Sequence, residues 1–182
     1  MNQCQLPEIL LLEPVIHADA RGHFFESWNE DRFSRLGITE PFVQDNVSRS
    51  VRDVVRGLHF QHPHDQAKLV TVLFGTVFDV AVDVRADSPR FGRWMGVELS
   101  DAKPRQLYLP AGFAHGVVAL TAEAIISYKC TAYFAPGHET SIQWDDPDIG
   151  VEWPTTSPVL SDKDKKGIRL RDIPGDQLPV MG

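Results

Sequence analysis

Arg56–Val84 reads RGLHFQHPHDQAKLVTVLFGTVFDVAVDV, and this stretch sets both the fold class and the candidate chemistry of the chain. Its second half is extended. Val77, Asp79, Ala81 and Asp83 share one face, and Phe78, Val80, Val82 and Val84 share the other. Lys68–Phe74 and Thr76–Val84 read as two strands, with Gly75-Thr76 as a tight hairpin between them. The first half gathers Arg56, His59, His62, His64 and Lys68 in one short span. Histidine exchanges a proton near neutral pH, and lysine and arginine hold negative charge. Acid–base work on an anion therefore competes here with metal binding.

Working outward, strand signals dominate from Pro41 onward. Phe42–Ser48, Val54–Gln61, Gly92–Leu99, Gln106–Leu109, Val117–Leu120, Ala124–Tyr133 and Ser141–Trp144 are short, rich in β-branched or aromatic residues, and bounded by Gly, Pro, Asp and Ser. Toward the N-terminus, Glu8–Ile16 reads as a strand, His17–Gly22 as a polar turn and Gly22–Trp28 as a second extended run. Asn29 is placed as an N-cap and Gly37 as the residue after a helix, bracketing one short helix with Phe33 and Leu36 inward. Ser161 followed by DKDKKG predicts one capped helical turn. Many short strands with turn-rich spacing predict an all-β sandwich or small barrel with a few short helices. In such a barrel Asp79 and Asp83 either face the interior, where they need partners, or lie as solvated surface acids.

At 182 residues the chain is long enough for one domain, 1–182, to bury a core without disulfides. No apolar run approaches membrane-spanning length, and the N-terminus lacks the basic flank of a signal peptide. Cys4 and Cys130, far apart, suggest no disulfide framework, so a reducing cytoplasm is the expected compartment. A net charge of -7 argues against general nucleic-acid binding but leaves room for a local basic pocket.

His62-x-His64, Lys68 and the later Pro110-x-Gly112-x-x-His115 nearly reproduce the two-part pattern of metal-binding double-stranded β-helix (cupin) barrels, with Lys68 where those carry Glu. An ammonium about 5 Å from a divalent cation costs roughly 6–7 kcal/mol at an effective dielectric of about 20. The expectation is therefore no metal, with His62 and His64 as loop residues at the barrel mouth. The same lysine suits an anion. Beside a substrate carbonyl it would favour a developing enolate, and the reaction then needs a base, for which His59 is the candidate. A core histidine with both nitrogens satisfied is the plain alternative for His59. For Tyr128 it is aromatic packing, for Asp164 a helix cap or surface acid, and for Cys130 a small buried hydrophobe.

Further blocks bear on the choice. RGLHFQ at Arg56–Gln61, QAKLV at Gln66–Val70, VFDVAVDVR at Val77–Arg85, SPRFGRW at Ser88–Trp94, LPAGFAHG at Leu109–Gly116 and YKCTAYF at Tyr128–Phe134 resemble the dTDP-4-dehydrorhamnose 3,5-epimerases. VQDN at Val43–Asn46, WDDPDIGVEWP at Trp144–Pro154 and LSDKD at Leu160–Asp164 are similar too, in the same order. The likeness runs from about Leu12 to Leu170. It implies a cupin jelly roll, a homodimer with an exchanged N-terminal strand, and a reaction without metal or cofactor on a dTDP-linked 4-keto-6-deoxyhexose. In that scheme His59 removes the proton, Asp164 orients it, Lys68 stabilises the enolate and Tyr128 protonates the opposite face. The likeness also implies substrate contacts. Arg21 and Glu26 would reach the nucleotide, Gln44, Asp45 and Asn46 the nucleotide or sugar, and Arg56 the diphosphate. His115, Glu139 and Lys163 complete the set, with Tyr133 or Phe134 stacking on thymine.

Two positions depart from the pattern: Val117 where the family usually has Phe, and Phe134 where Tyr is common. Relatives that invert only C3″ differ at such secondary positions, so a C3″-only epimerase is the alternative function.

Overall fold

The computed structural model describes residues 6–181. In chain order the strands are β1 (Leu10–Leu12), β2 (His17–Asp19), β3 (Gly22–Phe24), β4 (Gln44–Val51), β5 (Val55–Gln61) and β6 (Lys68–Phe74). They continue as β7 (Thr76–Asp83), β8 (Trp94–Ser100), β9 (Gln106–Leu109), β10 (Phe113–Ala119), β11 (Glu123–Cys130) and β12 (Glu139–Ser141). Two five-stranded antiparallel sheets face each other, ordered β12-β5-β10-β7-β8 and β1-β9-β6-β11-β4, and β2 pairs with β3 alone. This is the all-β cupin architecture.

Period two decides what each face buries. Val77 and Ala81 of β7 join Val70, Val72, Val117 and Ile126 in the cluster between the sheets. The even residues Val80, Val82 and Val84 pack outward under Ile142, Ile149, Leu170, Ile173 and Leu178 of the C-terminal segment. On the opposite side, Phe33 of helix α1 (Glu30–Ser34) covers Leu69 and Tyr108. Asn29 caps that helix by accepting from the Arg32 amide, but Leu36 lies 53% exposed rather than inward, because the helix ends before it.

Gly75 does not close a hairpin. β6 pairs with β9 and β11, whereas β7 pairs with β8 and β10, so the chain changes sheets at this point. Gly75 has φ +77, and a Cβ there would collide with the Glu123 carbonyl and the Thr121 hydroxyl. The tight corner and the crowding together require glycine. The N-terminal strand is also shorter than its apolar run predicts, Leu10–Leu12 only, because Pro14 removes a donor from any continued ladder. Asp79 and Asp83 are fully buried rather than solvated. Asp83 accepts from Arg85 and Ser88, and Arg85 also reaches Glu8. Cys130 is a free, buried thiol, and Cys4 lies outside the described residues.

Candidate active site

A cavity of about 460 Å³ opens between the two sheets at one end of the barrel. His59 on β5, His115 and Val117 on β10 and Glu139 on β12 line it from one sheet. Lys68 on β6, Tyr128 and Cys130 on β11, and Gln44 and Asn46 on β4 line it from the other. Ile126 and Val117 belong to both the cavity wall and the interior apolar cluster, and so form its floor.

Strict alternation would set Arg56 and His59 on opposite faces of β5. Both line the cavity because the pairing with β10 slips between His115 and Val117. Gly57 makes this irregularity possible. Its φ is +115, and a Cβ would stand 2.6 Å from the His115 carbonyl oxygen. The RGLHF sequence thus encodes a bulge that turns two functional side chains to one side.

His59 is held from behind. Nε2 lies 2.5 Å from Asp164 Oδ1. A carboxylate only accepts, so Nε2 carries the proton and Nδ1 keeps the lone pair. Glu139 Oε1 stands 3.9 Å from that Nδ1. Asp164 begins a 3₁₀ turn, Asp164–Lys166; its amide donates to Ser161 Oγ, and the Ser161 hydroxyl donates to its Oδ2 at 2.7 Å. Burial pushes the Asp164 carboxyl up, but the hydrogen bonds from His59 and Ser161 more than reverse this and leave it below its ordinary value. His115 repeats the arrangement, with Nε2 donating to Asp79 at 2.8 Å and 3.0 Å.

The Lys68 ammonium has no hydrogen bond or ion pair among the described residues, and what surface the side chain keeps opens into the cavity. Desolvation lowers its pKa; Cys130, Glu139 and Asp79 oppose that shift only partly. Burial raises the Tyr128 phenol, with Cys130 adding to it and Arg56 opposing. The site therefore offers a backed imidazole, an unpaired cation and a phenol that keeps its proton.

Other expected residues are placed differently. Asp45 points outward and pairs with Lys129, since it alternates with inward-facing Gln44 and Asn46. Arg21 pairs with Asp19 at the β2–β3 turn, its side chain 90% exposed. Glu26 pairs with Arg32, outside this cavity. Tyr133 is exposed, while Phe134 lines the cavity, its backbone amide donating a hydrogen bond to Gln44 Oε1. His62 bonds Asp65, and neither it nor His64 reaches the cavity that His115 lines. Among the described residues, no group of three or more His, Cys, Asp or Glu is arranged to hold a metal ion. Ser48, Gln66 and Ser161 line the cavity without having been expected there. For Ser48 the signal was present, two residues on from Asn46 along an alternating strand.

A family profile described as dTDP-4-dehydrorhamnose 3,5-epimerase matches residues 3–172. The chain belongs to this family. The 3,5-epimerase of Salmonella typhimurium is 52% identical over 162 residues, covering 87% of this chain and 88% of that one. A crystal structure of dTDP-6-deoxy-D-glucose-3,5-epimerase from Legionella pneumophila, in complex with dTDP-4-keto-L-rhamnose, superposes with a TM-score of 0.96 at 47% identity. That match covers 99% of this chain and 97% of the other. A dTDP-4-dehydrorhamnose 3-epimerase from Streptomyces niveus is 40% identical over 163 residues, 88% of this chain and 79% of its own length. As a member of the 3,5-epimerase family the chain is an isomerase, and no helix among the described residues is long and apolar enough to cross a membrane.

Proposed function

We propose that the chain, as one sugar-nucleotide epimerase domain over residues 1–182, inverts C3″ and C5″ of dTDP-4-dehydro-6-deoxy-D-glucose to give dTDP-4-dehydro-L-rhamnose without a cofactor. The observation that carries this reading is an imidazole on one sheet and a phenol on the other, sharing a cavity with a lysine ammonium that has no partner among the described residues. A C4″ ketone acidifies the hydrogens on both neighbouring carbons. His59 Nδ1 takes one of them, and the electron pair moves onto the C4″ oxygen as an enolate. Lys68 at about 5 Å favours that charge by about 3 kcal/mol at an effective dielectric of about 20. Return of a proton from the same side would restore the starting centre. Tyr128 delivers one from the opposite sheet, so the carbon inverts, and exchange with solvent resets both groups before the second carbon reacts.

In this reading Arg56 and Lys163 meet the diphosphate, for which a guanidinium fork is suited. His115, turned by Asp79, lies beside the sugar, and Gln44 and Asn46 meet the nucleotide or sugar. Phe134 is better sited for thymine than Tyr133. Arg21 and Glu26 would serve the cavity of a second copy in a homodimer with exchanged N-terminal strands; exposed Val15 and Phe24 nearby support this. The free Cys130 thiol accords with work in the cytoplasm. A C3″-only epimerase is the second reading, favoured by the 3-epimerase relative at 40% identity.

Incubation with the keto-sugar nucleotide in D₂O separates the two. Deuterium at both C3″ and C5″ is expected; deuterium at one carbon alone ends the 3,5 assignment. His59→Asn is expected to lose at least ~10²-fold in turnover with nucleotide affinity little changed.

A further inference from the structure

Glu139 sits between two partners of opposite use. Its Oε1 stands 3.9 Å from His59 Nδ1, the nitrogen that Asp164 leaves with a lone pair. Its Oε2 accepts from Lys163 Nζ at 2.7 Å. The fold fixes both relations. β12 runs beside β5 with Ser141 opposite His59, which brings Glu139 to the base. Lys163 immediately precedes the 3₁₀ turn that begins at Asp164. One short segment therefore backs Nε2 with a carboxylate and neutralises the carboxylate that faces Nδ1.

Other charged or titratable groups also line the cavity around His59. Arg56 lies on β5 itself, and His115 on β10 has Asp79 of β7 behind it. Lys68, Tyr128 and Cys130 come from the facing sheet. Beside them, Lys163 is a long, half-exposed cation whose ammonium hydrogen-bonds only Glu139 among the described residues.

We infer that Lys163 and Glu139 form a substrate-operated switch on the base. Without substrate, Lys163 holds Glu139 neutralised. The diphosphate of a nucleotide sugar, with two negative charges against one, draws Lys163 away. The released carboxylate then stabilises the proton that Nδ1 takes from the sugar carbon, so basicity is delivered with the substrate. Glu139 acts here as a positioning residue, through His59. The inference rests on the substrate class proposed above.

The sign is testable. A freed carboxylate favours imidazolium, so the acidic limb of the kcat profile, which reports the complex, lies at higher pH than that of kcat/KM, which reports the free enzyme. The expected separation is about half to one pH unit. In Glu139→Gln it shrinks by at least about half. In Lys163→Met the kcat/KM limb rises toward the kcat limb, which stays in place. An unchanged separation in Glu139→Gln, or an unmoved kcat/KM limb in Lys163→Met, overturns the switch.

A second measurement needs no turnover. Calorimetric titration with dTDP-glucose at about pH 6, in buffers of different ionisation enthalpy, should show net proton uptake by the wild type. Glu139→Gln should reduce that uptake by about twofold or more. Binding with equal uptake in both proteins ends this inference alone. Absence of dTDP-glucose binding ends the substrate reading, and the switch with it.

Discussion

Lys68 is useful to the chemistry for the same reason that it costs stability. Its ammonium loses water without gaining an ion-pair partner among the described residues, and desolvation accordingly lowers its pKa. Lys68→Met should therefore remove a penalty from the folded state while removing the charge that holds the enolate. Turnover is expected to fall by about 10²–10³-fold, the scale of losing one oxyanion donor, while Tm rises by roughly 2–4 °C. The pH dependence follows from the direction of the shift. Below the depressed folded value both states are protonated and the penalty is complete. As pH rises toward lysine's usual 10.5, the folded state releases its proton first and the penalty fades. The Tm advantage of Lys68→Met over wild type should thus narrow on the alkaline side. A Tm gap that widens there would mean that the ammonium is paired after all.

At the scale of elements, alternation made most of the barrel legible, and it failed where glycine interrupts it. Lys68–Phe74 and Gln106–Leu109 form strands over the same residues that their β-branched and aromatic pattern predicts. The sheet change at Gly75 was illegible, because a glycine between two apolar strands looks the same whether the strands pair or part. Only the distant Thr121 and Glu123, which crowd that corner, distinguish the two. The site divides in a similar way. His59, Lys68 and Tyr128 stand within motif blocks whose likeness to a family brings them together. Asp45 stood in such a block too, and strand parity turns it to Lys129 instead. Gly75→Ala tests the corner. A Cβ at φ +77 against two oxygens should cost roughly 2–4 kcal/mol, read as a lower urea midpoint with an unchanged slope. A loss of only a few tenths would show that the turn relaxes freely and that the sheet change does not depend on glycine.

At the scale of the whole molecule, Arg21 and Glu26 separate one-chain from two-chain function. Arg21 stands at the β2–β3 turn with its side chain 90% exposed, and neither residue lines the cavity of its own chain. Val15, Ile16 and Phe24 are exposed on the same segment, an apolar surface whose strands β2 and β3 pair only with each other among the described residues. If the segment reaches into a second copy, two-fold symmetry makes each cavity a composite of both chains. Arg21→Ala and His59→Asn would each be impaired alone, for different reasons. In a mixed dimer the Arg21→Ala chain keeps His59 and receives Arg21 from the other chain, which completes one cavity of two. Equal co-expression makes about half of the dimers mixed, so about a quarter of wild-type turnover should return. Were Arg21 to serve its own chain, no cavity would hold both residues and the mixture would stay at the level of its parents. At constant total protein the recovered activity should also peak at equal amounts of the two chains, because mixed dimers are most abundant there, whereas contaminating wild type would rise steadily with the share of the preparation that carries it.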